Sequence, residues 1–331
     1  MNDIGALAPH EHDMESRWSA VRSLEDLYVE ADHLNLTPGW IDREVPIMGS
    51  QERSAFLPQH WSYVEAHDAL EVAGGLIDVA KAERRNLILR NSKTGNDWAT
   101  SRTLVCAYQM IMPGEVAPSH RHTSNALRVI IDSAGSYSVV NGDKMPMESG
   151  DVVLTPSGHW HGHGHEGDEP GYWLDCLDVP LTYLLEPMYF QPHPDKYETI
   201  ERIVQESPFR FSQYSIARGL DAASVDADGR HGPRVTLDTP SMPAVGLIVE
   251  RMAGGKAWAE RRTTSNRIFS VMSGSGTSII AGETVKWARG DTFLVPSSNW
   301  VGHQASDDAV LLEMSDEPLM RFTNYFQSEY R

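Results

Sequence analysis

The sequence predicts a mainly β protein: two antiparallel barrels of one ancestry behind an N-terminal helical segment. Three observations point there. From Thr103 onward, short apolar runs alternate with glycine- and proline-bearing turns, and no helical run separates them. The turn landmarks then recur at a near-constant offset: Met112-Pro-Gly114 as Met252-Ala-Gly254, Gly150-Asp151 as Gly290-Asp291, Pro156 as Pro296. Upstream, Trp18, Val21, Leu24, Leu27, Tyr28 and Ala31 follow three- and four-residue spacing, which is the helical period.

In chain order, that spacing predicts a helix over 13–33, closed by Pro38-Gly39. Residues 45–58 read as loop. A second helical run covers 61–83, interrupted by Gly74-Gly75, and a strand follows at 86–90. Arg84-Arg85 before that strand reads, on pattern alone, as a solvated edge. The first barrel takes strands at 104–112, 127–131 and 137–140, a hairpin at Asn141-Gly142-Asp143, then strands at 152–155, 159–163 and 172–177. Residues 181–235 connect the barrels. The apolar first part (Tyr183, Leu184, Leu185, Met188, Tyr189, Phe190) is expected to pack on a barrel or a partner subunit, and 219–233 to be a linker or mobile loop. The resulting organisation is 1–98 for the helical segment and first strands, 99–180 for the first barrel, 181–235 for the connector and 236–331 for the second barrel.

Composition narrows the function classes. A 331-residue chain with 40% hydrophobic residues can bury packed cores. A net charge of −18 argues against nucleic acid, whose phosphates need a basic footprint. The two cysteines, Cys106 and Cys176, lie far apart in sequence within apolar strands, so buried inert thiols in a reducing cytoplasm are expected. The first residues lack a basic and then apolar leader pattern, and no apolar run approaches the roughly 20 residues of a membrane span. A soluble protein without membrane contact is expected.

Six of the fourteen histidines fall between residues 120 and 165. Imidazole is the commonest protein ligand for borderline divalent metals, because its neutral nitrogen binds them at neutral pH. In His120-x-His122 both rings project to one face of a strand, and a third ring from another strand would complete a facial set. The candidates for that third ring, His159, His161, His163 and His165, share one strand face, so spacing alone leaves the choice open. In the second barrel His120, His122 and His161 become Glu260, Arg262 and Val301. That barrel is expected to be structural and metal-free.

These landmarks resemble the cupin signatures: Gly114, five residues, His120-x-His122 and later Gly135, then Gly150, five residues, Pro156, Gly158 and His161. The fold implied is a bicupin, two double-stranded β-helix (jelly-roll) barrels. The glutamate many cupins carry shortly after the paired histidines is missing, since residues 123–127 are Thr-Ser-Asn-Ala-Leu. Three stretches are similar to the gentisate 1,2-dioxygenase family, whose relatives cleave salicylate, 5-substituted salicylates and 1-hydroxy-2-naphthoate. They are His-Arg-His-Thr-Ser-Asn-Ala-Leu-Arg128, the Val140–Asp151 hairpin, and Gly167-Asp-Glu-Pro-x-x-Trp173-Leu-Asp175-x-Leu-Asp178-Val-Pro180. The likeness reaches upstream to Ala82-Glu-Arg84-Arg85. It departs at Val105, where gentisate enzymes often carry tryptophan, at His165 for asparagine and at Ser133 for glycine.

The resemblance implies one Fe(II) per subunit in the first barrel, on His120, His122 and His161. Three neutral ligands leave open positions for an adjacent hydroxyl and carboxylate and for dioxygen, with ring opening between the carbons that carry those two groups. His163 and Asp175 are the catalytic candidates, the first for acid–base work at the phenol oxygen. Arg128 is expected to clamp the substrate carboxylate, with a pair to Asp132 or Asp175 as the structural alternative. Arg84, Gln109 and Val105 complete the substrate-binding set, and Val105 tilts the reading toward a 5-substituted salicylate such as 5-nitrosalicylate over gentisate. The small aromatic acid and O2 are the implied partners, and a homo-oligomer, a tetramer by family resemblance, the implied assembly. The competing readings are a 1-hydroxy-2-naphthoate dioxygenase, a cupin isomerase or manganese oxidase, and a ligand-binding bicupin. The isomerase and the manganese oxidase would be expected to use the carboxylate ligand that is missing here.

Overall fold

Strand alternation explains most of the architecture. The computed structural model describes residues 18–41, 48, 54–78 and 85–331, in two units, 1–52 and 53–331. In the first unit a short 3-10 turn, Trp18–Ala20, precedes the helix Leu24–His33. The helix begins at Leu24 because Ser23 caps it: its hydroxyl accepts from Asp26 N, and the Asp26 carboxylate accepts from Ser23 N. Residues 13–17 of the expected helix lie outside the described residues.

Among its described residues the second unit holds four sheets. In the first barrel one sheet is built from Val152–Thr155, Ala126–Asp132, Gly171–Leu177 and Val105–Ile111, flanked by Arg210–Phe211 and Arg85–Ile88. Facing it are Val116–His122, His161–His165, Ser136–Val140 and Asp143–Met147, flanked by Phe190–Pro192 and Arg202–Ile203. The second barrel repeats the plan with a six-stranded and a five-stranded sheet.

The sheet carrying Ala126–Asp132 is buried on both faces, which is why its strands read as continuous apolar runs. Leu127, Val129 and Ile131, with Cys106, Tyr108, Met110, Leu174 and Cys176, join a core shared with Leu247, Val249, Ile268 and Met314 of the second barrel. The alternate residues Ile130, Ile111 and Trp173 line the first barrel's own interior. Arg128, Gln109 and Asp175 have the same parity as these and so point inward too. Polar contacts reinforce the joint: the Tyr108 hydroxyl donates to Gly290 O at 2.8 Å, and Thr103 Oγ1 donates to Asp316 at 2.6 Å.

Three expectations change. The second helix is Tyr63–Leu76 and starts later than 61, because Gln59–Trp61 is a strand paired with Thr292–Val295 of the second barrel, while residues 79–83 of the expected run lie outside the described residues. Gly74 lies against Met110, so close that a Cβ there would meet the Met110 methyl at 2.9 Å. Arg85 is not a solvated edge. It is buried, its fork binds Glu115 at 2.7 and 2.8 Å, and its Nε donates to Ile77 O. Within the connector, Gln213–Ala222 is a helix whose Ile216 and Leu220 are buried, so the polar stretch read as linker starts on ordered structure. Among the described residues no helix is long and apolar enough to cross a membrane.

Candidate metal centre and adjoining cavity

The strand His161–His165 alternates histidine and glycine, so His161, His163 and His165 share the inner face. Its neighbour Val116–His122 slips register between Ala117 and His120, a bulge at Pro118-Ser119. The slip sets His120 directly opposite His161. His122, two residues on, follows on the same face. Ring centroids are 4.2 Å apart for His120 and His161, 4.9 Å for His122 and His161, and 5.5 Å for His120 and His122. One nitrogen from each ring lies within 4.8 Å of the others.

The tautomers follow from the backbone. His120 Nδ1 donates to Pro118 O (3.2 Å), His122 Nδ1 to Ser124 O (2.8 Å) and His161 Nδ1 to His159 O (3.1 Å). A carbonyl can only accept, so Nδ1 carries the proton in all three rings and Nε2 keeps its lone pair. His161 Nε2 is buried without a hydrogen-bond partner. Burial, then the neighbouring His120 ring and the Arg128 charge, push the His161 pKa well below its usual value, so the ring stays neutral. The donor set fits a divalent metal, with the backbone carbonyls orienting the ligands.

The other histidines of the row separate. His159 lies outside the strand at the rim, against Phe209. His165 is buried and used at both nitrogens, Nδ1 with Ser136 Oγ and Nε2 donating to Glu169 O. His163 is buried between His161 and Trp173, with centroids 5.9 Å from each.

Beside His122 lies a cavity of about 250 Å³. Val105, Gln109 and Asp175 line it, with Asn86 and Ile88 from the edge strand and Met188, Tyr189 and Phe190 from the connector. Gln109 Nε2 donates to Asp175 Oδ2, and the buried Gln109 Oε1 has no hydrogen-bond partner. Asp175 also accepts from Trp173 Nε1 at 3.0 Å and faces Arg128 Nε at 3.4 Å. Arg128 is fully buried, donates from Nη1 to Thr155 Oγ1 at 2.7 Å and is not among the cavity-lining residues. The pair with Asp175 is therefore the arrangement observed, and Asp132 instead binds Arg289 and Tyr63. Arg84 lies outside the described residues.

Sequence reasoning missed Trp173, Thr155 and the connector's part in the cavity wall. Trp173 could have been found, because it sits two residues before Asp175 on the same strand face. Thr155 could not, since its pairing with Arg128 depends on which strands adjoin. Phe190–Pro192 pairs with His120–His122, and the Phe190 ring stacks on His120 at 4.9 Å.

A cupin-domain family model matches residues 107–177. Across 90% of this chain and 94% of its relative, the sequence is 30% identical to gentisate 1,2 dioxygenase 1 of Aquipseudomonas alcaligenes. The chain belongs to the gentisate and salicylate 1,2-dioxygenase family. A second family relative, the 5-aminosalicylate 1,2-dioxygenase of Comamonas sp., is also 30% identical, over 92% of this chain and 90% of its own length. Among solved dioxygenases, a variant of the Pseudoaminobacter salicylatoxidans salicylate 1,2-dioxygenase in complex with gentisate superposes with a TM-score of 0.86. That match covers 100% of this chain and 98% of that one at 25% identity. The bicupin architecture and the ring-cleaving dioxygenase class expected from the sequence are both borne out.

Proposed function

We propose that this dioxygenase holds one Fe(II) on His120, His122 and His161 and opens a salicylate-type acid between its carboxyl- and hydroxyl-bearing carbons. The observation that carries the reading is the convergence of three Nδ1-protonated imidazoles beside a cavity large enough for one substituted ring. Ferrous iron bound there supplies coordination for both substrate and dioxygen and the electron density that couples them.

The chain's own residues do the rest. Arg128, braced by Thr155 and Asp175 behind the cavity wall, is close enough for its charge to act on His161, and turning toward the metal-facing end would let it clamp the substrate carboxylate. Gln109 lines the cavity, and its unpartnered Oε1 accepts a hydrogen bond from the substrate or an ordered water. Asp175 orients Gln109 and Arg128 together, and His163 holds the proton of the phenol oxygen. Val105 leaves room for a ring substituent where an indole would fill it. That favours a 5-substituted salicylate, 5-nitrosalicylate or the 5-amino compound of the Comamonas relative's name, over gentisate.

The test is oxygen uptake by iron-loaded protein with salicylate, 5-nitro-, 5-amino- and 5-halosalicylate, gentisate and 1-hydroxy-2-naphthoate. Fastest turnover is expected on a 5-substituted salicylate. Faster turnover of the naphthoate would overturn the substrate assignment, and no uptake with any of them would overturn the activity.

Exposed Tyr183, Leu184 and Leu185 on the helix Val179–Leu185 support self-association through the connector, which sedimentation would measure.

A further inference from the structure

The second barrel, which lacks the three histidines, buries an arginine that no carboxylate pairs directly. Arg267 is 1% exposed, and its nearest partners are two carbonyl oxygens, Arg261 O at 3.3 Å and Asn299 O at 3.2 Å. Among the described residues no carboxylate lies within ion-pair distance of it. A buried charge of this kind is costly unless something compensates it. Beside it is a small cavity of about 20 Å³, lined also by Trp258, Arg261, His303 and Glu313. Three N–H groups of the lining residues are buried without a hydrogen-bond acceptor: Arg267 Nε, Trp258 Nε1 and Arg261 Nη1, the last of which faces Glu313 at 3.6 Å.

Glu313 and Glu317 offset the Arg267 charge only from beyond ion-pair distance, and Arg261 shares both of them. Four arginines and two glutamates line the cavity. Arg234 is matched by Glu250 at 2.5 Å, and Arg261 by Glu313 at 3.6 Å and Glu317 at 3.3 Å. Arg230 is held from outside by Asp228. His303 is kept neutral, its pKa pushed down to about 3 by burial and then by Arg267 and Arg234. Burial lowers the Arg267 pKa to about 10, which still leaves it charged at neutral pH. Glu313 Oε1 is a buried acceptor without a partner on the same cavity, so an occupant must bind away from it or share the space with water.

We propose that this cavity is a site for one small monovalent anion, of halide or formate size, held by Arg267 Nε and Trp258 Nε1. The volume admits one or two water-sized groups and excludes an aromatic acid, so the site is separate in kind from the substrate cavity of the first barrel. It is independent of the activity assigned above.

Two measurements on the full metal-loaded chain test it. Crystals soaked in bromide should show an anomalous peak within hydrogen-bonding reach of Arg267 Nε and Trp258 Nε1. Thermal unfolding at fixed ionic strength, with chloride, bromide or formate replacing gluconate, should rise by about 2–4 °C. Trp258→Phe keeps the ring and removes one donor, so its shift should fall to half or less. Arg267→Met, where it folds, should show none. Density for water alone in bromide-soaked crystals, or equal anion shifts in wild type and Trp258→Phe, overturns the site. A halide effect without a formate effect, or the reverse, identifies which small anion the site takes.

Discussion

The two barrels share a frame and differ in what they put inside it. In the first, Asn125 donates from its backbone N and Nδ2 to Asp178, both at 2.7 Å, and its Oδ1 accepts from Ser157 N. In the second, Asn266 makes the same bonds to Asp316 at 2.8 Å and accepts from Ser297 N. Inside, Arg128 stands opposite Asp175 across one strand pair, and Phe269 stands opposite Glu313 across its counterpart. His161 gives way to Val301. The frame depends on backbone turns and buried hydrogen bonds, which tolerate any interior. The chemistry depends on a few inward side chains, which can change without touching those turns.

That contrast can be broken at its sharpest point. His161→Ala should remove most bound iron and lower turnover by more than about 100-fold, while Val301→Ala should leave iron content unchanged and cost only about 1–3 kcal/mol of stability. Metal analysis and chemical unfolding of the two variants side by side would decide it. If both variants keep their iron, the metal is not where it is assigned here. The paired acids give the next largest difference. Asp175→Asn should lower kcat by about 10- to 100-fold by loosening Gln109 and Arg128, whereas Glu313→Gln should leave kcat within about twofold. Equal losses in steady-state assays would mean that Asp175 acts only through stability.

Val105→Trp tests the cavity rather than the frame. It should shift the ratio of kcat/KM between a 5-substituted salicylate and salicylate by about tenfold toward the unsubstituted ring. An unchanged ratio would show that Val105 does not meet the substituent.

The smallest effect concerns what the barrels share. Asn125→Ala and Asn266→Ala should each cost about 1–3 kcal/mol, since each leaves a buried carboxylate short of donors. Burial raises the pKa of Asp178 and Asp316 in the folded state. A raised carboxyl stabilises the fold fully below its unfolded pKa and loses that contribution as pH rises through the folded value. Removing the asparagine, whose bonds favour the charged form, deepens that loss, so each variant should cost more near about pH 7 than near about pH 4. Urea titrations at the two pH values would show it, and a cost independent of pH would mean the carboxyls are not ionised in the fold.

The sequence by itself determined the repeat, the turns, the inward parity of His120, His122, Arg128 and Asp175, and the loss of ligands from the second barrel. These are local quantities: period-two alternation and glycine–proline punctuation are written residue by residue. Only the tertiary structure decided which histidine of the row meets the pair, because that follows from the bulge at Pro118-Ser119 and its register against His161. It also decided that Gln59–Trp61 is a strand, that Arg85 is buried on Glu115, and that Phe190 covers His120. Each of these depends on a partner far away in the chain, and no local pattern carries the identity of a distant neighbour.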